Sequence, residues 1–136
     1  AVQPSNAIAN VAIAPAVRAS IIDAYGNVVT GATDAVTVAV GTNPSGGTLS
    51  GTKTVSATGG VAVFSDLRLD LVGAGYTLTA AAAGLTGATS VAFDVNHGPL
   101  DRFVVEQAGG GAIGSQLVGT PFNVRVTAQD AYGNTV

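Results

Sequence analysis

Two carboxylates and two carboxamides recur in this chain as a fixed pattern. Asp23 and Asn27 lie in one DAYGN pentapeptide, and Asp130 and Asn134 lie in another, 107 residues further on. Side-chain oxygens at this spacing could bind a hard cation. Calcium, however, takes six to eight oxygens, and D-x-x-G-N offers too few. The same residues suit turn chemistry. An Asp carboxylate accepts backbone N–H groups across a turn, Gly26 supplies a positive φ, and Asn tolerates one. The pattern therefore predicts a repeated structural turn.

Other residues with chemical potential are scattered. Asp94, Asn96 and Asp101 bring oxygen donors to the polar segment Asn96–Pro99. Calcium there would stiffen a junction between modules, although dense acidic motifs are absent. His97 is the only histidine and sits in a Gly-Pro linker, where an exposed role is expected. The run Gly109–Gly111 is not followed by the Lys-Ser/Thr of a phosphate loop. Lys53 is the only lysine. Buried beside an Asn and an acid it could form an isopeptide link; an exposed strand position is the expectation. Tyr76, following Gly73-Ala-Gly75, suits a tyrosine corner, with its ring at the core edge and its hydroxyl bonded to nearby backbone. There is no paired catalytic carboxylate and no G-x-S-x-G elbow. The expectation is no catalytic, cofactor-binding or metal-binding residue.

Composition points to strands. Of 136 residues, 47% are hydrophobic, mostly Ala and Val, and only 10% are charged. Nineteen glycines and abundant Thr suit short strands and tight turns better than helices. The net charge of −3 comes from seven Asp and one Glu against Lys53 and four Arg. Without a basic stripe, nucleic acid is excluded as an expected partner. No apolar run approaches the roughly 20 residues that span a bilayer, and no basic amphipathic stretch suits a membrane surface. Cysteine is absent, which removes disulfides, zinc-thiolate sites and thiol nucleophiles.

The elements that must position these residues follow from period-two patterning. Ala16–Asp23 alternates Val17, Ala19 and Ile21 against Arg18, Ser20 and Ile22. Ala35–Val40 (AVTVAV) ends in the turn cluster Gly41–Gly47. Short strands are predicted at Thr48–Ser50, Thr52–Ser56, Val61–Phe64, Leu67–Leu69, Gly75–Ala80 and Ala88–Val95. The Ala-rich stretch Thr79–Leu85 is too short and uncapped for a helix, so a strand edge is expected. The predicted core is Val17, Ile21, Val36, Val38, Val40, Leu49, Val63, Leu67, Leu69, Tyr76, Leu78, Val91 and Phe93. Beyond the linker, Leu100–Glu106 (LDRFVVE) and Pro121–Asp130 (PFNVRVTAQD) alternate again, the latter mirroring Pro15–Asp23.

The segments PAVRASIIDAYGNVVTG, TLSGTKTVSATGGVAVFSDLRLD and GYTLTAAAAGLTGATSVAFDV carry a family likeness. Together they resemble the bacterial immunoglobulin-like repeats of large surface proteins, of the invasin/intimin type or the filamin-like type. The resemblance covers Gln3–Val95, and the tail from Leu100 resembles the start of a sister repeat. Such repeats usually open with an apolar strand before the QPS segment, and here the chain starts at Ala1-Val2-Gln3. A strand of that type occurs instead at Leu100–Glu106. Either the boundary is that of a fragment, or this strand completes the sheet edge of a different copy.

The resemblance implies an all-β, immunoglobulin-like Greek-key β-sandwich of about seven strands, plus the first strands of a second repeat. Residues 1–96 would form the repeat, and residues 97–136 the linker and truncated start of the next. The expected function is a non-enzymatic structural module of an extracellular or cell-surface filament protein, acting as spacer or assembly unit. Its partners would be neighbouring repeats, or other copies through strand exchange. The alternative is an adhesive module binding a glycan or protein through end loops, for which Tyr25, Tyr76 and Tyr132 are the only tyrosines.

Overall fold

A computed structural model describes residues 2–136. The chain divides into two compact units, Ala1–Asn96 and His97–Val136. The described residues form thirteen strands and no helix. In the first unit these are β1 (Ala7–Ile8), β2 (Val17–Ser20), β3 (Ala35–Val40), β4 (Leu49–Ser50), β5 (Thr54–Ser56), β6 (Val61–Phe64), β7 (Arg68–Leu69), β8 (Gly73–Tyr76), β9 (Leu78–Ala81), β10 (Ala88–Thr89) and β11 (Phe93–Asn96). The second unit holds β12 (Leu100–Gln107) and β13 (Val124–Asp130).

The first unit is all-β and sandwich-like. A four-stranded sheet runs β10-β9-β3-β5, a three-stranded sheet runs β1-β11-β8, and β2-β6 and β4-β7 form pairs. β1 runs parallel to β11, with Ala7 opposite Val95; the remaining pairs are antiparallel. Val36, Val38 and Leu78 of the four-stranded sheet share one core cluster with Val17, Phe64, Leu69, Tyr76, Phe93 and Val95 of the other strands. Chain continuity between sheets is sharpest at Thr77. Tyr76 ends β8 in one sheet and Leu78 opens β9 in another. Thr77 hydrogen-bonds the backbone of Gly41 and Thr42 across the bend. Tyr76 and Leu78 lie two residues apart, so alternation puts both on one face, and both are buried.

The first unit has eleven short strands where eight runs were named, because two runs break and β1 (Ala7–Ile8) lies outside all of them. Gly75–Ala80 divides at Thr77, and Ala88–Val95 divides at Ser90, whose hydroxyl accepts the Leu78 N–H at 2.9 Å and bonds the Val91 carbonyl. Val91 is consequently turned out, 56% exposed, against the expectation that it is core. Val63 is also exposed, because β6 buries Ala62 and Phe64 instead. Val17, Val36, Val38, Leu49, Leu67, Leu69, Tyr76, Leu78 and Phe93 are buried, and Ile21 and Val40 pack half-buried against them. Ala9 and Ile13 join this core from an irregular segment. Its backbone is tied to β7 and its approach by Asn10 N–H to Leu69 C=O (2.7 Å) and Ile13 N–H to Leu67 C=O (2.8 Å).

The second unit is an antiparallel pair. Glu106 faces Arg125, Val104 faces Thr127 and Phe103 faces Ala128, with an irregularity between Leu100 and Arg102.

Candidate functional site

The repeated pentapeptide forms the same turn twice. Asp23 Oδ1 accepts the N–H groups of Tyr25 and Asn27, each at 2.9 Å, and Asn27 Nδ2 reaches Oδ2 at 3.2 Å. The Asp23 N–H donates to the Asn27 carbonyl at 2.9 Å. Gly26 takes φ 87°, a left-handed conformation that costs glycine least. In the second copy, Asp130 Oδ1 accepts Tyr132 and Asn134 N–H at 2.9 Å each, and Gly133 takes φ 89°. The carboxylates are occupied by the turn itself.

The copies differ in depth. Asp23 is exposed, whereas Asp130 is 1% exposed and also accepts the Gly98 N–H at 2.9 Å. Hydrogen bonds led by the Asn27 N–H hold the Asp23 carboxyl below its ordinary range. At Asp130, burial opposes the charge most strongly. The N–H groups of Gly98, Asn134 and Tyr132 with the Asn134 side chain outweigh it, and the carboxyl falls to about 2.

Of the remaining candidates, Asp94, Asp101 and Tyr76 have bonded side chains, whereas His97 and Lys53 stand exposed. Asp94 Oδ1 accepts the Gly75 N–H at 2.9 Å, and the Asn96 carbonyl accepts the Ala9 N–H at 2.8 Å. Asp101 pairs with the adjacent Arg102 at 3.3 Å. Among the described residues, no group of three His, Cys, Asp or Glu could hold a metal. His97 is exposed, with Nδ1 2.8 Å from the Gly98 carbonyl. Lys53 is exposed and accepts the Val38 N–H through its carbonyl. Gly110 and Gly111 form a turn closing on Gln107. Tyr76 is fully buried, donates to the Leu71 carbonyl at 3.0 Å, and packs on Phe93 with ring centroids 6.3 Å apart. Its ring and hydroxyl thus take the corner role.

The feature that sequence reading missed is a groove of about 780 Å³ in the first unit. One wall is β2 with Ile21 and Ile22; the other is β9 with the Ala82–Ser90 stretch. Its lining includes Ala19, Ile21, Leu78, Ala80, Ala82 and Ala88. The alanines are the sequence signal, since small side chains on facing strands leave space that larger ones fill. Val2, Gln3 and Pro4 line one end. There the Val2 carbonyl accepts the Arg18 N–H at 3.1 Å, and the Gln3 side chain accepts the Val91 N–H at 3.1 Å.

The edge of β2 facing away from β6 is polar backbone. The Arg18 N–H points to Val2 on that side, whereas the Ile21 N–H bonds the Gly60 carbonyl on the opposite side. Strand alternation therefore turns the backbone groups of Ser20 and Ile22 the same way as Arg18. The arrangement joins an apolar trough to a row of strand-pairing groups. Its lining also holds the hydroxyls of Ser20, Thr79, Thr86, Thr89 and Ser90 and the Asp23 carboxylate. Comparison of the chain with family models, with curated proteins and with solved structures returned no match.

Proposed function

We propose that this chain is a non-enzymatic structural repeat module with an immunoglobulin-like Greek-key sandwich. It serves an extracellular bacterial surface or filament protein as spacer or assembly unit, with neighbouring repeats as its partners. The observation that carries this reading is the recurrence of one turn, bond for bond, at the end of matching strands in two separate units. A sequence that repeats a structural device at domain spacing builds arrays. The Asp23 and Asp130 carboxylates and the Tyr76 hydroxyl are engaged in holding turns and a corner, which supports a structural role for them.

Single-molecule pulling on the full chain tests the spacer role. The 96-residue first unit should release in one step of about 300 Å, the roughly 330 Å contour of its extended chain less its folded span. Extension without a resisting step, or turnover of any substrate by the purified chain, overturns the reading.

The adhesive alternative has one observation in its favour. Tyr25 stands 91% exposed at the tip of the first turn. A glycan or peptide array that responds to the chain, and loses the response in Tyr25→Ala, would establish it.

A further inference from the structure

We propose that Asp130 is a clasp for the segment leading into the second unit: its buried carboxylate pins residues 97–99 to that unit and makes them a rigid lead-in to β12 instead of a free tether. The inference deepens the spacer half of the proposed function and rests on that reading, since a spacer holds distance better through a short, ordered connection.

Composition alone would leave this segment loose. Asn96-His97-Gly98-Pro99 joins polar residues to Gly and Pro. Gly98 is nevertheless buried, between the exposed His97 and Pro99. Its N–H donates to Asp130 Oδ2 at 2.9 Å, and its carbonyl lies 2.8 Å from His97 Nδ1. Pro99 has no N–H, so Gly98 is the last backbone donor before β12 opens at Leu100. A buried N–H without an acceptor is costly, and so is a buried carboxylate without donors. Here each satisfies the other. Asp130 ends β13, so the bond ties the segment before β12 to the opposite strand of the pair.

The same carboxylate closes the second DAYGN turn. Oδ1 accepts the Tyr132 and Asn134 N–H groups, while Oδ2 accepts the Asn134 side chain at 3.1 Å beside Gly98. From β12, Arg102 reaches the Ala131 carbonyl of the turn at 3.4 Å. Turn and segment thus share one acceptor, and order in one supports order in the other. The carboxyl, held at about 2, is ionised in neutral solution, so its bond to Gly98 is charge-assisted and among the stronger kind. A coupling across the sequence follows. Strain placed in the turn at Gly133, which takes φ 89°, should loosen Gly98.

NMR relaxation and amide exchange of the full chain test the clasp. In the unmodified chain the Gly98 amide should have an order parameter of about 0.85, the value of rigid backbone. A scalar coupling across the hydrogen bond should link its nitrogen to the Asp130 carboxyl carbon. Asp130→Asn can keep an oxygen for Tyr132 and Asn134 while turning an NH2 toward Gly98, and should speed Gly98 exchange about tenfold or more. Gly133→Ala should also speed it, through the turn. Two controls should leave residue 98 protected: Gly26→Ala, the matching change in the first unit, and Gly98→Ala, whose Cβ meets Asp130 at an ordinary 3.5 Å. An order parameter below about 0.6 at Gly98 in the unmodified chain overturns the proposal, as does protection that survives Asp130→Asn. If Asp130→Asn also exposes the Tyr132 and Asn134 amides, the whole turn has opened. The coupling in the unmodified chain then decides, and its absence overturns the clasp. A mobile Gly98 in a chain that resists pulling and turns nothing over sinks the clasp and leaves the spacer reading standing. Turnover of a substrate by a chain with a rigid Gly98 sinks the spacer reading alone.

Discussion

Replacing Phe64 by Ala tests the inward face of β6 against its neighbour Val63. Phe64 is 1% exposed within the core cluster, whereas Val63 is 40% exposed. Truncating a buried Phe removes its transfer free energy and leaves a cavity, together about 3–5 kcal/mol. Val63→Ala removes two half-solvated methyl groups and should cost about 0.5 kcal/mol. A unit of 96 residues has a total stability of about 5–14 kcal/mol, so the first change consumes a large part of it. At about 4–8 °C per kcal/mol, Phe64→Ala should lower the melting temperature by more than about 12 °C and Val63→Ala by about 2–4 °C. Far-UV circular dichroism melts and urea titration of the full chain measure both. If Val63→Ala proved the more damaging, β6 would be in the opposite phase, and its pairing of Ala19 with Ala62 would be wrong.

Three further outcomes follow from individual contacts. Tyr76→Phe removes the hydroxyl bonded to the Leu71 carbonyl and should cost about 1–2 kcal/mol in urea titration; an unchanged midpoint would remove the corner role. Gly60→Ala should destabilise by about 2–3 kcal/mol, because a Cβ at φ 76° would meet the Val29 carbonyl; Gly59→Ala, at φ 61° with open space around it, should cost about 1 kcal/mol. The Asp130 carboxyl, lowered to about 2 from 3.8, contributes about 2 kcal/mol to the second unit above pH 4, lost as pH falls from about 4 to 2. Its carboxyl carbon, followed by NMR, should titrate near 2, and titration at the ordinary value would refute the bonded turn.

What could be read from the sequence divides along the line between local and non-local causes. Glycine-rich turns, β-branched runs and the Asp–Asn staple act within a few residues, so the all-β character, AVTVAV and the twin turns were legible. The phase of VAVF was not. Val61, Ala62, Val63 and Phe64 are all apolar, so period two marks a strand without choosing its face; the pairing with Val17–Ser20 decides it. Val91 was misjudged because a single hydroxyl, that of Ser90, binds across to Leu78 and breaks the strand. Ile13 and Ala9 were missed because their burial depends on bonds to residues more than fifty positions away. The groove arises from alanines contributed by separate strands, and no window of sequence contains both walls.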